Sequence, residues 1–205
     1  MELIVISSPD LIIDSESSII DHLFQLGLQY FHIRKPMSSV EQLSKLLRGI
    51  DPRYYNCISL HQHHQLANEF GIKRLHYTEC GRNSSDSKKW QKQKDQGYTL
   101  STSAHDITLL PSLKSFDYIF YGPVFNSISK LKYQSKLSGS FCLDKDHIIP
   151  KIIALGGIDA FNLSKIKEMN FDGAAVLGAI WNEPAHGIEN FIKLKKNLLV
   201  QNSTQ

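Results

Sequence analysis

Eight short apolar runs recur along the chain with little polar alternation: LIVIS (3–7), YFHIR (30–34), CISL (57–60), RLHY (74–77), YTLS (98–101), DYIF (117–120), KIIAL (151–155) and GAAVL (173–177). Such runs suit parallel strands that are covered on both faces. Helix-like segments separate them. In SSIIDHLFQLG and SVEQLSKLLRGI, apolar residues return at helical spacing and a serine near the start is available as a cap. HQLANEFG, SKKWQKQKDQG and NLSKIKEMNF fill further gaps, and Gly27, Gly71 and Gly97 fall where helix C-caps belong. The last segment, GIENFIKLKKNLLV, is amphipathic, with a basic side that water can solvate.

About eight βα units in roughly 200 residues predict an α/β fold, a single-domain (β/α)8 TIM barrel near the short end of its size range. A doubly wound open sheet has the same alternation and is the rival. No GxGxxG or Walker lysine motif follows the first strand, which weakens the nucleotide-binding forms of that rival. No linker-like boundary appears, so residues 1–200 read as one barrel and 201–205 as a frayed tail. The longest irregular stretch is 121–150, and a loop of that length in a compact domain is usually functional or mobile.

Composition narrows the picture by exclusion. The 205 residues are 41% apolar and 21% charged, ordinary for a globular domain with a real core. A net charge of +3 is too small to argue for a nucleic-acid partner. No apolar run reaches the ~18 residues of a membrane span. The start, MELIVISSPD, carries an acidic residue and no basic region, so no signal peptide is expected. Cys57, Cys80 and Cys142 are odd in number, widely spaced and free of CxxC spacing, which suits a reducing cytoplasm. A cytoplasmic protein without membrane or nucleic-acid partners is expected, with homo-oligomerisation left open.

In a barrel, the residues just after each strand share one rim, where active sites are built. Reading only those positions gives Arg34 and Lys35, then His61, Gln62, His63 and His64, then Ser103 and His105. GPVFNSISK, GGI and GAIW follow strands 6, 7 and 8. Gly156 and Gly157 sit between a strand and a helix start, and Leu177 and Gly178 do the same one strand later. Glycines there let backbone N–H groups approach an anion, the usual phosphate position in such barrels. A single Gly-Gly would more often be only a tight turn; two such loops together favour phosphate. Ser127, Ser129 and Lys130 on the adjacent loop add hydroxyls and an ammonium, suitable partners for phosphate oxygens. Arg34 suits a second anion, although an isolated arginine is more often a structural ion-pair partner.

His61, His63 and His64 place three imidazoles within four residues, a spacing that invites a transition metal. His63 and His64 are adjacent, however, and would diverge at a helix start. A solvated or substrate-lining cluster is the stronger reading, so no metal site is expected. His32, His61, His63 and Ser103 are candidate substrate-lining residues. His76 reads as structural or rim-lining, and His22, His147 and His186 as surface residues.

FHIRK, LANEFGIKRLHY, STSAHD, DYIFYGPVFNSISK, IIALGGI and DGAAVLGAI occur in an order and spacing that resembles the thiamine phosphate synthase and thiazole tautomerase family, almost from end to end. The synthase pattern after the sixth strand is GPVFxTxTK, so Ser127, Ser129 and Lys130 match its phosphate-binding hydroxyls and lysine, with Ser for Thr. The resemblance implies a (β/α)8 barrel, a role in thiamine biosynthesis and a small-molecule thiazole phosphate as partner. Synthases of the family join a hydroxymethylpyrimidine diphosphate to the thiazole phosphate with Mg2+, held by an Asp in an NDR motif after strand 3 and another after strand 4. Here His61, Gln62 and His63 replace NDR, and the second position falls near Cys80 or Gly81. The QxRxK motif after strand 2 reads HIRKP, which keeps Arg34 and puts Pro36 at the lysine position. These losses point to the metal-independent tautomerase branch, for which the resemblance implies His105 as the catalytic proton carrier, with Arg34 expected to orient the substrate carboxylate and no cofactor expected. The alternatives are a divergent, Mg2+-using thiamine phosphate synthase and a non-catalytic phosphate-binding barrel.

Overall fold

The computed structural model describes residues 1–10, 15–126, 137, 141–145 and 150–202. Eight strands close into a barrel in sequence order: β1 (Glu2–Ile6), β2 (Tyr30–Ile33), β3 (Ile58–Leu60), β4 (Arg74–Tyr77), β5 (Thr99–Ala104), β6 (Tyr118–Tyr121), β7 (Lys151–Leu155) and β8 (Gly173–Val176). Every neighbouring pair is parallel, and β8 closes on β1 with Leu3 opposite Ala174 and Val5 opposite Val176. The open-sheet rival is thereby excluded. The helices around the barrel are α1 (Glu16–Gln25), α2 (Val40–Arg48), α3 (Leu66–Phe70), α4 (Glu79–Asn83), α5 (Ser87–Asp95), α6 (Leu163–Glu168), α7 (Gly178–Trp181) and α8 (Gly187–Asn202).

The helix starts follow the sequence where a side chain can cap. Ser39 forms a capping box on α2, accepting from Gln42 N while the Gln42 side chain accepts from Ser39 N. The serine at the start of α1 behaves differently: Ser15 has helical backbone angles and makes no side-chain cap bond. α4 is a helix that the apolar pattern misses, because ECGRN has no amphipathic repeat; Thr78 caps it through Gly81 N at 3.1 Å. Strand β5 runs three residues past the YTLS segment, through Thr102, Ser103 and Ala104. Those hydroxyls hide the strand from a hydrophobicity scan, yet find partners inside the fold.

Alternation along the strands sorts side chains into two layers. Outward residues such as Val5, Phe31, Ile33, Leu60, Leu75, Leu100, Ile119, Ile152 and Val176 join the main core beneath the helices. Inward residues split by sector. On the β1, β6, β7 and β8 side the interior is apolar: Ile4, Ile6, Tyr118, Phe120, Ile153 and Ala175. On the β2–β5 side it is polar: His32, Ser59, His61, His76 and Ser101 are all buried. Lys35 points away from the barrel mouth. It is fully buried against Glu16 at 2.7 Å and donates to Asp10 O at 3.1 Å, tying α1 to the loop after β2.

Candidate active site

The rim at the C-terminal ends of the strands carries a cation and an imidazole in defined settings. Arg34 follows β2, and its backbone is locked to the end of β1: Arg34 N donates to Ser7 Oγ at 2.8 Å, and that hydroxyl donates to Arg34 O at 3.1 Å. Its half-buried guanidinium has no hydrogen bond or ion pair among the described residues. Its charge is felt at His61 and His76, where it opposes protonation. An arginine held by its backbone with an uncommitted head suits an anion arriving from solvent.

His105 follows β5 directly and is exposed. Its Nδ1 lies 2.5 Å from Gly122 O at the end of β6. A carbonyl only accepts, so Nδ1 carries the proton, and the neutral ring keeps a bare lone pair on Nε2. Gly122 itself fits because a Cβ there would lie 2.0 Å from Leu155 O. His105 is therefore braced by two neighbouring strand ends.

The loops after β6 and β7 are in direct contact. Val124 N donates to Leu155 O at 2.9 Å, and Phe125 N donates to Gly156 O at 3.1 Å. Gly156 and Gly157 both have positive φ, +99° and +66°. A Cβ on Gly157 would stand 2.7 Å from Asn126 O. Close approach of two loops accounts for these glycines, and it brings the start of 121–130 against the Gly-Gly turn. Ser127, Ser129 and Lys130 lie outside the described residues. Leu177 precedes α7, Gly178 opens it, and Trp181 Nε1 on α7 donates to Ile6 O at 2.7 Å, fixing this turn to β1.

The HQHH segment does not act as one cluster. His63, at φ 53°, uses Nε2 on Ser38 O at 2.7 Å. His64 Nε2 lies 3.0 Å from Leu60 O and 3.1 Å from His76 O. His61 turns inward instead and meets imidazoles from β2 and β4. His32 Nδ1 lies 2.9 Å from His61 Nε2, and His32 Nε2 lies 2.7 Å from the Tyr118 hydroxyl. His61 and His76 stack with ring centroids 3.9 Å apart. His76 is held by Ser101 Oγ at 2.9 Å and Ser103 Oγ at 3.0 Å. His32 thus belongs to the buried interior network, and Ser103, half-buried at the end of β5, joins it through His76.

Burial keeps these rings neutral. Desolvation pushes His32 and His61 well below the usual imidazole range, aided by the neighbouring imidazoles and by Arg74 and Arg34 respectively. His76 falls to about 3, again chiefly through burial. Sequence separation hides this constellation, since its members lie at positions 32, 61 and 76. The available signal is a histidine on the inward parity of β2 and β4 and another just beyond β3.

The pattern that defines the thiamine monophosphate synthase family matches residues 3–180. A thiamine-phosphate synthase of Leuconostoc citreum is 28% identical over 141 residues, covering 68% of this chain and 66% of that protein, just under two thirds of its length. A crystal structure of thiamine phosphate pyrophosphorylase from Bacteroides thetaiotaomicron is 30% identical, with a TM-score of 0.74 over 97% of this chain and 98% of the other. A Pyrococcus furiosus thiamine phosphate pyrophosphorylase, 15% identical, shares the fold with a TM-score of 0.70 over 96% of this chain and 94% of its own.

Proposed function

The chain belongs to the thiamine monophosphate synthase family, and from that premise we propose that it is an enzyme of thiamine biosynthesis that joins a hydroxymethylpyrimidine diphosphate to a thiazole phosphate. The observation that carries this reading is the near full-length similarity, at 30% identity, to a protein described as a thiamine phosphate pyrophosphorylase. In the reaction the thiazole nitrogen lone pair forms a C–N bond to the pyrimidine methylene. The C–O bond to diphosphate breaks, and the diphosphate leaves with that electron pair. Positive charge appears on the thiazole ring while negative charge concentrates on the leaving group. Arg34, with its uncommitted guanidinium, is the rim cation assigned to the diphosphate. The turns at Gly156–Gly157 and Leu177–Gly178, with Ser127, Ser129 and Lys130, are assigned to the thiazole phosphate. His105, with a free Nε2, is assigned a hydrogen bond to the substrate.

The Mg2+ of family synthases does not fit the residues at the ends of β3 and β4. His61, Gln62 and His63 offer no carboxylate after β3. After β4, Glu79 lies 3.3 Å from Arg82 Nη2 in an ion pair. Mg2+ is a hard ion that takes oxygen ligands, commonly carboxylates.

One observation favours a second reading, the thiazole tautomerase suggested by the missing carboxylates. His105, an exposed residue, is held through Nδ1 on Gly122 O, which leaves Nε2 as the nitrogen for a single-residue proton shuttle. The relatives weigh toward the synthase. The experiment is to offer the pure protein both synthase substrates, and separately the dihydrothiazole carboxylate phosphate, each with and without EDTA. Chromatography then identifies the products. A condensation product supports the synthase; aromatised thiazole alone supports the tautomerase; no product in either mixture leaves a non-catalytic phosphate-binding barrel.

A further inference from the structure

We propose that His32, His61 and His76 form a binding site for one late first-row divalent cation, Zn(II) above all, inside the polar sector of the barrel. The three residues come from β2, the end of β3 and β4, and one nitrogen from each lies within 4.8 Å of the other two. Imidazole nitrogens suit Zn(II), Co(II), Ni(II) or Cu(II) and are poor ligands for Mg2+ or Ca2+. The site therefore differs in chemistry from the carboxylate site of the family's synthases, although His61 stands in the segment that replaces NDR.

Between His32 and His61 the geometry needs little change, while the His76 ring, stacked on His61 at 3.9 Å, must tilt to bring a nitrogen to the same ion. His32 Nδ1 and His61 Nε2 face each other at 2.9 Å. Tetrahedral Zn–N bonds of ~2.0–2.1 Å place ligand nitrogens roughly 3.3–3.4 Å apart. That is an opening of on the order of half an ångström. The supporting shell is already built. Tyr118 fixes His32 through Nε2, and Ser101 and Ser103 hold the two nitrogens of His76. Either serine hydroxyl can turn away to free one nitrogen while the other keeps the ring oriented, the usual work of groups behind a metal ligand.

The interior also lacks a partner. His32 and His61 share one hydrogen between two facing nitrogens. If Tyr118 donates to His32 Nε2, then His32 Nδ1–H donates to His61, and His61 Nδ1–H has no acceptor. If His32 Nε2–H donates to Tyr118, then His61 Nε2–H donates to His32, and His61 Nδ1 keeps a bare lone pair. In both cases His61 Nδ1 is buried without a hydrogen bond. Ser59 Oγ, on β3 and two residues before His61, is likewise buried and unpartnered. Buried polar atoms in native proteins are nearly always satisfied by protein, water or an ion. His32 and His76 are 0% and 1% exposed while His61 is 8% exposed, so the approach is from the His61 side. Arg34 near the mouth, Arg74 within the barrel and Arg82 on α4 are the arginines that oppose a cation there.

The test uses the full chain, cleared of metal with EDTA and exchanged into chelator-free buffer. Titration with Co(II) should saturate at one ion per chain, with the visible absorption of tetrahedral nitrogen coordination, and Zn(II) should displace it. His61→Gln should weaken Co(II) binding by about tenfold or more. The exposed His186→Ala should leave it unchanged. A second measurement avoids any folding defect in His61→Gln: in the wild-type protein, nitrogen-detected NMR of the imidazoles should show His32, His61 and His76 shifting on Zn(II) addition. Absence of saturable binding, binding equally tight in a folded His61→Gln protein, or shifts confined to His63, His64 or His105 would each overturn the proposal.

Discussion

At the scale of single residues, counting strand ends along the sequence is enough to put Arg34 and His105 on the rim, because barrel topology fixes where strand ends go. Counting does not tell inward from outward among neighbours. Lys35 looks as available as Arg34 in the sequence, yet it is spent on Glu16 in a buried pair. His61 keeps the inward parity of Ser59 on β3, and the turn at His63, with φ of 53°, sends His63 and His64 elsewhere, which adjacency in sequence cannot reveal. The two rim residues make distinct predictions. In the condensation no proton moves to or from carbon, so His105→Asn should lower kcat by less than the ~10²–10⁴-fold of general acid–base catalysis. A loss within that range, measured with the aromatisation substrate, would favour the tautomerase. Arg34→Gln should raise KM for the diphosphate substrate by about tenfold or more, since a hydrogen bond to a charged group contributes ~1.5–3 kcal/mol. An unchanged KM in steady-state assays removes Arg34 from the diphosphate.

At the scale of elements, apolar runs mark all eight strands, since both faces of most are covered. The pattern ends β5 early, because Thr102 and Ser103 are hydroxyl residues that bond to β4 and α4, and passes over α4, which owes its start to one Thr78 cap. The contact between the loops after β6 and β7 is also hidden in the sequence; only the glycines hint at it. Gly157→Ala tests that contact. It places a side chain at positive φ and 2.7 Å from Asn126 O, so the loops must separate. A loss of about 1–3 kcal/mol of stability is expected by denaturant titration, together with a raised KM for the thiazole phosphate. Full stability and an unchanged KM would show that the two loops move apart freely.

At the scale of the whole molecule, one sector of the barrel interior is apolar and the other holds neutral imidazoles. Acid should therefore weaken the metal-free fold. His76 has a folded pKa of about 3, against ~6.5 for an unfolded imidazole. Between those values the unfolded chain binds the extra proton, so stability falls as pH drops through this window and is fully present above it. For His76 alone, the loss from pH 7 to pH 5 is about 2 kcal/mol. His32 and His61, shifted in the same direction, add to it. Urea midpoints in the presence of EDTA measure the effect; equal midpoints at both pH values would mean that the interior accepts protons without cost.

Diphosphate release reads the proposed C–N bond formation most directly. The EDTA-treated protein, returned to buffer with and without Mg2+, is given the pyrimidine diphosphate alone and then with the thiazole phosphate. Sustained diphosphate release that depends on the thiazole phosphate and matches the condensation product mole for mole is the predicted result. No release above the protein-free control under either condition, from a protein that aromatises the dihydrothiazole carboxylate phosphate, would contradict it.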